Sequence, residues 1–272
     1  MAFVVFSVDT ERDSSHAITG NPLEAATFGF DKPSFTASEN GLKALLPLLE
    51  EMKIPATFFF EGTTAEVLNG RIDLRRLFAR HEIGFHGLNH EDFAGIKTGV
   101  KIELAKREEI FKEGLGILKK AFGVEKPGFR APYLSIDLEL VELAKKHCAY
   151  DSSLYGDRIS FDNGFPRIAI YQDLDEQGKQ RKGFLWPLME GERNEDEYIT
   201  QVRKAVERKV DPIVIGTHSW HTHATRKDGF LGERQAEKQL AKVKRVLEGI
   251  KEINGVEFAT IKRVLELRHF EK

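Results

Sequence analysis

A chain of 272 residues is long enough to bury one large core, and α/β barrels use about 200 to 250 residues or more as a single unit, so one domain over residues 1–272 is expected. Its 41 basic and 43 acidic side chains nearly cancel, which argues against nucleic acid as a partner. The one cysteine rules out an intrachain disulfide, and no apolar run approaches the ~18 to 20 residues of a membrane span.

The opening run Met1-Ala2-Phe3-Val4-Val5-Phe6 lacks a basic leader and a cleavage site. It reads as a first core strand, Phe3–Val8, and with it comes the expectation of a cytoplasmic protein. The connector Arg12 to Ser38 is longer than an economical βα link, and such segments build the walls of sites. Leu42, Leu45, Leu46 and Leu49 form a helical stripe that Pro47 interrupts. Strands follow at Ala56–Phe60 and Glu82–Phe85, with His81 packing or capping the start of the second. A helix carrying Leu104, Phe111, Leu115, Leu118 and Phe122 stops at Gly123. Gly128–Arg130 reads as a short strand. The helical stretch 138–147 leads to Cys148, read as a buried thiol. A second long connector, Asp157 to Lys182, is rich in Asp, Gly, Asn and Gln. Strands are expected at Phe184–Leu188, Pro212–Gly216 and Glu257–Thr260, and Ala236–Ile250 reads as a helix whose Leu240, Val243 and Leu247 face inward. The end, Arg268-His269-Phe270-Glu271-Lys272, reads as a solvated tail. Strands alternating with helices give an α/β fold.

Chemistry concentrates where strands end. His86-Gly87-Leu88-Asn89-His90 sets two imidazoles at H-x3-H spacing behind a buried strand, a pattern that closes on a divalent ion. Zinc suits two imidazoles and a carboxylate, with Co2+, Mn2+ and Fe2+ as alternatives. Asp9 and Glu11, two apart on an extended chain, project to one face, so one carboxylate is free to bind metal while the other accepts a proton. Asp13 is a spare acid. Glu91 and Asp92 either orient the imidazoles or face solvent. Late in the chain Ile213-Val214-Ile215-Gly216-Thr217-His218 brings a further histidine to a strand end. The residues thus point to a metal-dependent hydrolase.

Five motifs carry a resemblance. Ser7-Val8-Asp9-Thr10-Glu11, His86-Gly87-Leu88-Asn89-His90, Gly128-Phe129-Arg130-Ala131-Pro132-Tyr133, Tyr150-Asp151-Ser152-Ser153-Leu154 and Ile215-Gly216-Thr217-His218 follow, in order, the motifs of the polysaccharide deacetylases of the NodB-homology type, carbohydrate esterase family 4. The resemblance implies a distorted (β/α)7 TIM-like barrel, one bound divalent metal, and hydrolysis that frees an acyl group, acetyl first, from an amino sugar. By motif position it implies Glu11, His86 and His90 as metal ligands, Asp9 as general base oriented by Arg130, His218 as general acid tuned by Asp151, and an oxyanion donor at the Tyr133 backbone. Trp186, Tyr155 and Trp220 are candidate surfaces for a carbohydrate or small amide substrate. His221 and His223 either line the groove, add a further metal ligand, or sit in a polar loop over it.

Three departures stand out. Thr10 separates acids that are adjacent in most members, Gly87 replaces the usual Ser or Thr, and Gly216 stands where many members place a leucine against the acetyl methyl. The first two, with Tyr150-Asp151-Ser152-Ser153, resemble the branch holding cofactor-independent allantoinases, a peptidoglycan deacetylase type and lipid-linked aminoarabinose deformylases, part of which works without metal. The alternatives are therefore a cyclic-amide or formamide hydrolase and a carbohydrate-binding pseudoenzyme.

Overall fold

The nine residues of Ala2–Thr10 (β1) are all buried, as befits a strand covered on both faces in a parallel sheet. Side chains alternate along it. Val4, Phe6 and Val8 pack on the main cluster with the helices, whereas Phe3 and Val5 join Phe59, Tyr150, Val214 and Ile261 in a second cluster on the opposite face. Asp9 continues the second row, so the strand's own periodicity carries it to the inner side. In this computed structural model, residues 1–13, 15–27, 32–175 and 177–268 are described; the expected solvated tail, including His269, lies outside them except for Arg268.

Around β1 run Ala56–Phe60 (β2), Glu82–Phe85 (β3), Gly128–Phe129 (β4), Ile213–His218 (β5) and Val256–Phe258 (β6). All pair in parallel, in the order β5-β1-β2-β3-β4, with β6 also on β1. Asp9 is registered opposite His218, and Phe60 opposite Phe85, so the strand ends before Glu61 and His86 are level. Single parallel bridges extend the edges, Phe129 to Asp151 to Arg167 on one side and Gly216 to Phe184 on the other.

Several boundaries depart from the sequence reading. Phe184–Leu188 is not a strand: only Phe184 bridges the sheet, and Trp186–Met189 forms one helical turn. Pro187 explains the switch, since it cannot donate to a ladder yet fits the first turn of a helix. Pro47 does not break its helix, which runs through it over Thr36–Met52. The late helix extends to Glu233–Lys251, and Thr260 leaves the last strand to cap Ile261–Leu267 by accepting from the Arg263 N–H. Cys148 is buried. The long connectors hold hairpins, His16–Ile18 with Asn21–Ala26 and Ile159–Asp162 with Phe165–Ile168.

Candidate metal and catalytic site

The site forms where β1, β3, β4 and β5 end, the edge at which parallel α/β sheets gather chemistry. Asp9 ends the inner row of β1, and Glu11 follows one residue past the strand. β3 delivers His86, after which the chain turns through Gly87 at φ 76 and His90 at φ 60. A side chain at 87 would sit 2.5 Å from Glu91 Oε2, so close packing as well as left-handed backbone selects glycine here. Glu91, expected either to orient the imidazoles or to face solvent, is buried and accepts from the N–H groups of Leu88 and Asn89, fastening the loop that carries both histidines. Burial raises its pKa to about 7. Asp92 likewise turns inward, accepting from Ser135, Lys97 and Thr98.

Glu11, His86 and His90 bring one ligand atom each to within 4.8 Å of one another. Glu11 Oε2 lies 3.3 Å from His86 Nε2 and 2.6 Å from His90 Nε2, is buried, and has no hydrogen bond of its own. His86 Nδ1–H donates to the Arg130 carbonyl at 2.7 Å. That assignment leaves Nε2 with its lone pair turned to the cluster, the arrangement metal-ligating histidines adopt. An orphaned carboxylate oxygen beside two imidazole nitrogens is a donor set that fits a zinc-type ion. Burial raises the Glu11 pKa, but His90, His218 and His86 outweigh it and hold the carboxyl well below its usual range. Burial lowers that of His86, and Asp9 and Glu11 more than reverse the effect.

Arg130 is fully buried and aims its fork at Asp9: Nη1 donates to Asp9 Oδ1 at 2.7 Å and to Ser7 Oγ at 3.0 Å. Its Nε and Nη2 bond the carbonyl and hydroxyl of Ser152, and the guanidinium lies 4.1 Å from the Phe59 ring centroid. With one carboxylate oxygen so engaged, Asp9 keeps the other for the pocket. His218 stands on the neighbouring strand, stacked at 5.2 Å on Phe184 and edge-on to Trp186, its Nδ1 buried without a hydrogen-bond partner. Burial lowers its pKa, against the pull of Glu11 and Asp9. A cleft of about 570 Å3 opens over these groups, lined also by Tyr133, Tyr155, Phe184 and Trp186.

Not every candidate joins them in the expected way. Trp220 is wholly buried rather than lining the groove, and its indole N–H donates to Glu11 Oε1 at 3.0 Å, so it holds the carboxylate from behind. Asp151 makes no hydrogen bond to His218; its oxygens accept from Ser153 and from Arg167. The spare acid Asp13 accepts from the N–H groups of Ala37 and Ser38 and caps the helix Thr36–Met52. His221 pairs with Glu190 at 3.0 Å and His223 with Thr222, so neither adds to the cluster. At Gly216 a Cβ would meet the Phe184 ring at 3.2 Å, and that ring fills the space where a longer side chain would stand.

Sequence reading missed a buried ion pair. Arg12 donates to Glu61 from its backbone and from its guanidinium, and also to Asn89 and the Ala25 carbonyl, tying the end of β1 to the histidine loop. A charged residue directly after β2, as Glu61 is, was the available signal.

Residues 23–150 match the family model described as Polysaccharide deacetylase. That span includes His86, His90 and Arg130, while Asp9, Glu11 and His218 lie outside it. A peptidoglycan deacetylase of Helicobacter pylori is 26% identical over 156 residues, 57% of this chain and 50% of that protein. The chain spans half or less of the length of the curated relatives it matches. Among solved structures, a putative polysaccharide deacetylase from Mycobacterium smegmatis aligns over 97% of this chain and 88% of its own, at 20% identity and a TM-score of 0.66. Puue allantoinase aligns over 98% of this chain and 90% of its own, at 17% identity and a TM-score of 0.63, and shows the same fold. Over residues 23–150, just under half of its length, the chain is thus similar to the polysaccharide deacetylase family.

Proposed function

We propose that this chain is a metal-dependent hydrolase that removes an N-acyl group, acetyl first, from an amino sugar in a poly- or oligosaccharide. One observation carries the reading: the ligand atoms of Glu11, His86 and His90 converge in the cleft that also presents Asp9, held by Arg130, and His218. Zinc is the ion of choice for such a set, with Co2+, Mn2+ and Fe2+ able to take the same donors. When bound, it would polarise the acyl carbonyl and acidify a water. Asp9 accepts a proton from the attacking water on the oxygen Arg130 leaves open. The Tyr133 backbone N–H serves the developing oxyanion. His218, stacked on Phe184 at the cleft, hands a proton to the leaving nitrogen. Asp151 acts at one remove, bracing Ser153 and Arg167. Trp186 and Tyr133 face the sugar. The bridges that extend both sheet edges support a distorted (β/α)7 barrel as the frame.

The test is release of acid from acetylated and formylated amino sugars, with protein stripped by chelator and then reloaded with zinc. Acetate release lost on stripping and restored by zinc is expected; unchanged turnover by metal-free protein would remove metal from the mechanism. A second reading, a formamide or cyclic-amide hydrolase, is favoured by the Phe184 ring beside Gly216, which narrows the wall where an acyl methyl would rest. Formate release outpacing acetate release identifies it.

A further inference from the structure

The cleft is rimmed by three cations, Lys97, Lys182 and Arg226. Among the described residues that line it, the only acids are Asp9 and Glu11, and both are committed, one to Arg130 and the other to the histidines. Some surface cations of this chain find carboxylates: Lys43 and Arg71 share Glu39, Lys101 reaches Asp137 and Glu139, and Lys244 reaches Glu51. Among the described residues none of the three has an ion-pair partner; Lys182 Nζ sits 4.3 Å from the Tyr155 ring centroid and Arg226 4.5 Å from that of Trp186.

Arg226 is also fixed in place. Its Nη2 donates to the Ser15 carbonyl at 2.6 Å, and its backbone N–H to Glu190, the carboxylate that His221 holds from within. Two of the aromatic surfaces expected to carry substrate, Tyr155 and Trp186, thus each have a cation over the ring. Unpaired like charges around a concave, low-dielectric cleft focus a positive potential into it, and they stabilise a ligand that supplies the missing negative charge.

We infer that the site takes N-acylated sugars bearing an oxyanion, a carboxylate or a phosphate, near the amide to be cleaved. The inference rests on the hydrolase reading only for the amide; the anion preference is a property of the rim. The chain's two tryptophans, Trp186 in the cleft and Trp220 beneath Glu11, make intrinsic fluorescence a binding signal that needs no turnover. The experiment titrates zinc-loaded protein with N-acetylglucosamine, N-acetylmuramic acid and N-acetylglucosamine 6-phosphate, at low and high salt, and assays acetate release in parallel. Expected is binding of at least one anionic probe roughly tenfold tighter than the neutral one, an advantage that shrinks with salt. The double variant Lys97→Gln, Lys182→Gln, both exposed positions, should lose most of that advantage, which separates the rim's contribution from ligation of the ion by the probe. The carboxylate and phosphate arms report which oxyanion fits. Equal affinity for neutral and anionic probes, no response to any of them, or selectivity untouched in the double variant overturns the inference. Anion-selective binding without acetate release upholds the rim's preference and counts against the hydrolase reading instead.

Discussion

The two ends of the central sheet treat buried polar groups in opposite ways. At the end where the strands begin, Glu82 accepts from the Tyr150 and Thr57 hydroxyls and from the Lys262 N–H, and His81 Nδ1 accepts from the Ala56 N–H. Those groups are satisfied. At the end where the strands finish, Glu11, His90, Tyr133, Thr217, His218 and His221 each leave a buried polar atom without a partner, six of the eight such atoms among the described residues. Native interiors rarely tolerate orphaned polar atoms, so their gathering at one end marks the place where something besides the chain completes the bonding. One end is built for stability; under the proposed function, the other is left for an ion and a substrate to finish.

That contrast can be broken most severely at Arg130, the residue that does both jobs. Arg130→Met leaves Asp9 buried and uncompensated, a loss of about 3–5 kcal/mol. A large fall in melting temperature together with lost turnover is expected; an unchanged melting temperature would show that the pair contributes nothing to the fold. His218→Ala should separate the two roles. Acetate release should drop by about 10²–10⁴-fold, while zinc content, measured by atomic absorption, stays as in the parent. Loss of zinc from that variant would instead make His218 a ligand.

Glu82→Ala probes the opposite end, stranding two hydroxyls and an N–H at a cost of about 1–3 kcal/mol. Denaturant unfolding should register the loss, with turnover per folded molecule unchanged; a turnover defect would mean that the two ends are coupled. The smallest effect concerns acid. Burial lowers the His81 pKa to about 4 from an ordinary 6.5. The folded state therefore binds the proton less readily than the unfolded one, so this group's stabilising share is complete above pH 6.5 and is lost as pH falls toward 4. His81→Asn, which keeps an acceptor for Ala56, should flatten that part of the melting temperature against pH; an identical slope would assign the acid sensitivity elsewhere.

The sheet was legible wherever the signal was local. An unbroken apolar run gave β1, and H-x3-H behind a strand gave the histidine pair. Alternation sets Asp9 and Glu11 to one face of an extended chain, although two residues' spacing does not reveal that they face different partners, Arg130 and the imidazoles. What stayed hidden depends on contacts distant in sequence. Nothing around Trp220 says that its indole will brace Glu11, 209 residues away. Asp13 reads as one more acid near the site until the helix it caps is in view, and Glu61 carries no sign that Arg12 will fold onto it. Phe184–Leu188 misled for a different reason, since its apolar pattern suits a buried strand and a helical turn equally well and only Pro187 decides between them.

The central claim is that Glu11, His86 and His90 together hold one cation. Calorimetric titration of chelator-stripped protein with zinc tests it directly, comparing the parent with His86→Ala, Glu11→Gln and Asp9→Asn. Saturable uptake near one ion per chain, abolished by His86→Ala, weakened by Glu11→Gln and largely kept by Asp9→Asn, is the predicted result. Uptake indifferent to the first two substitutions would contradict it.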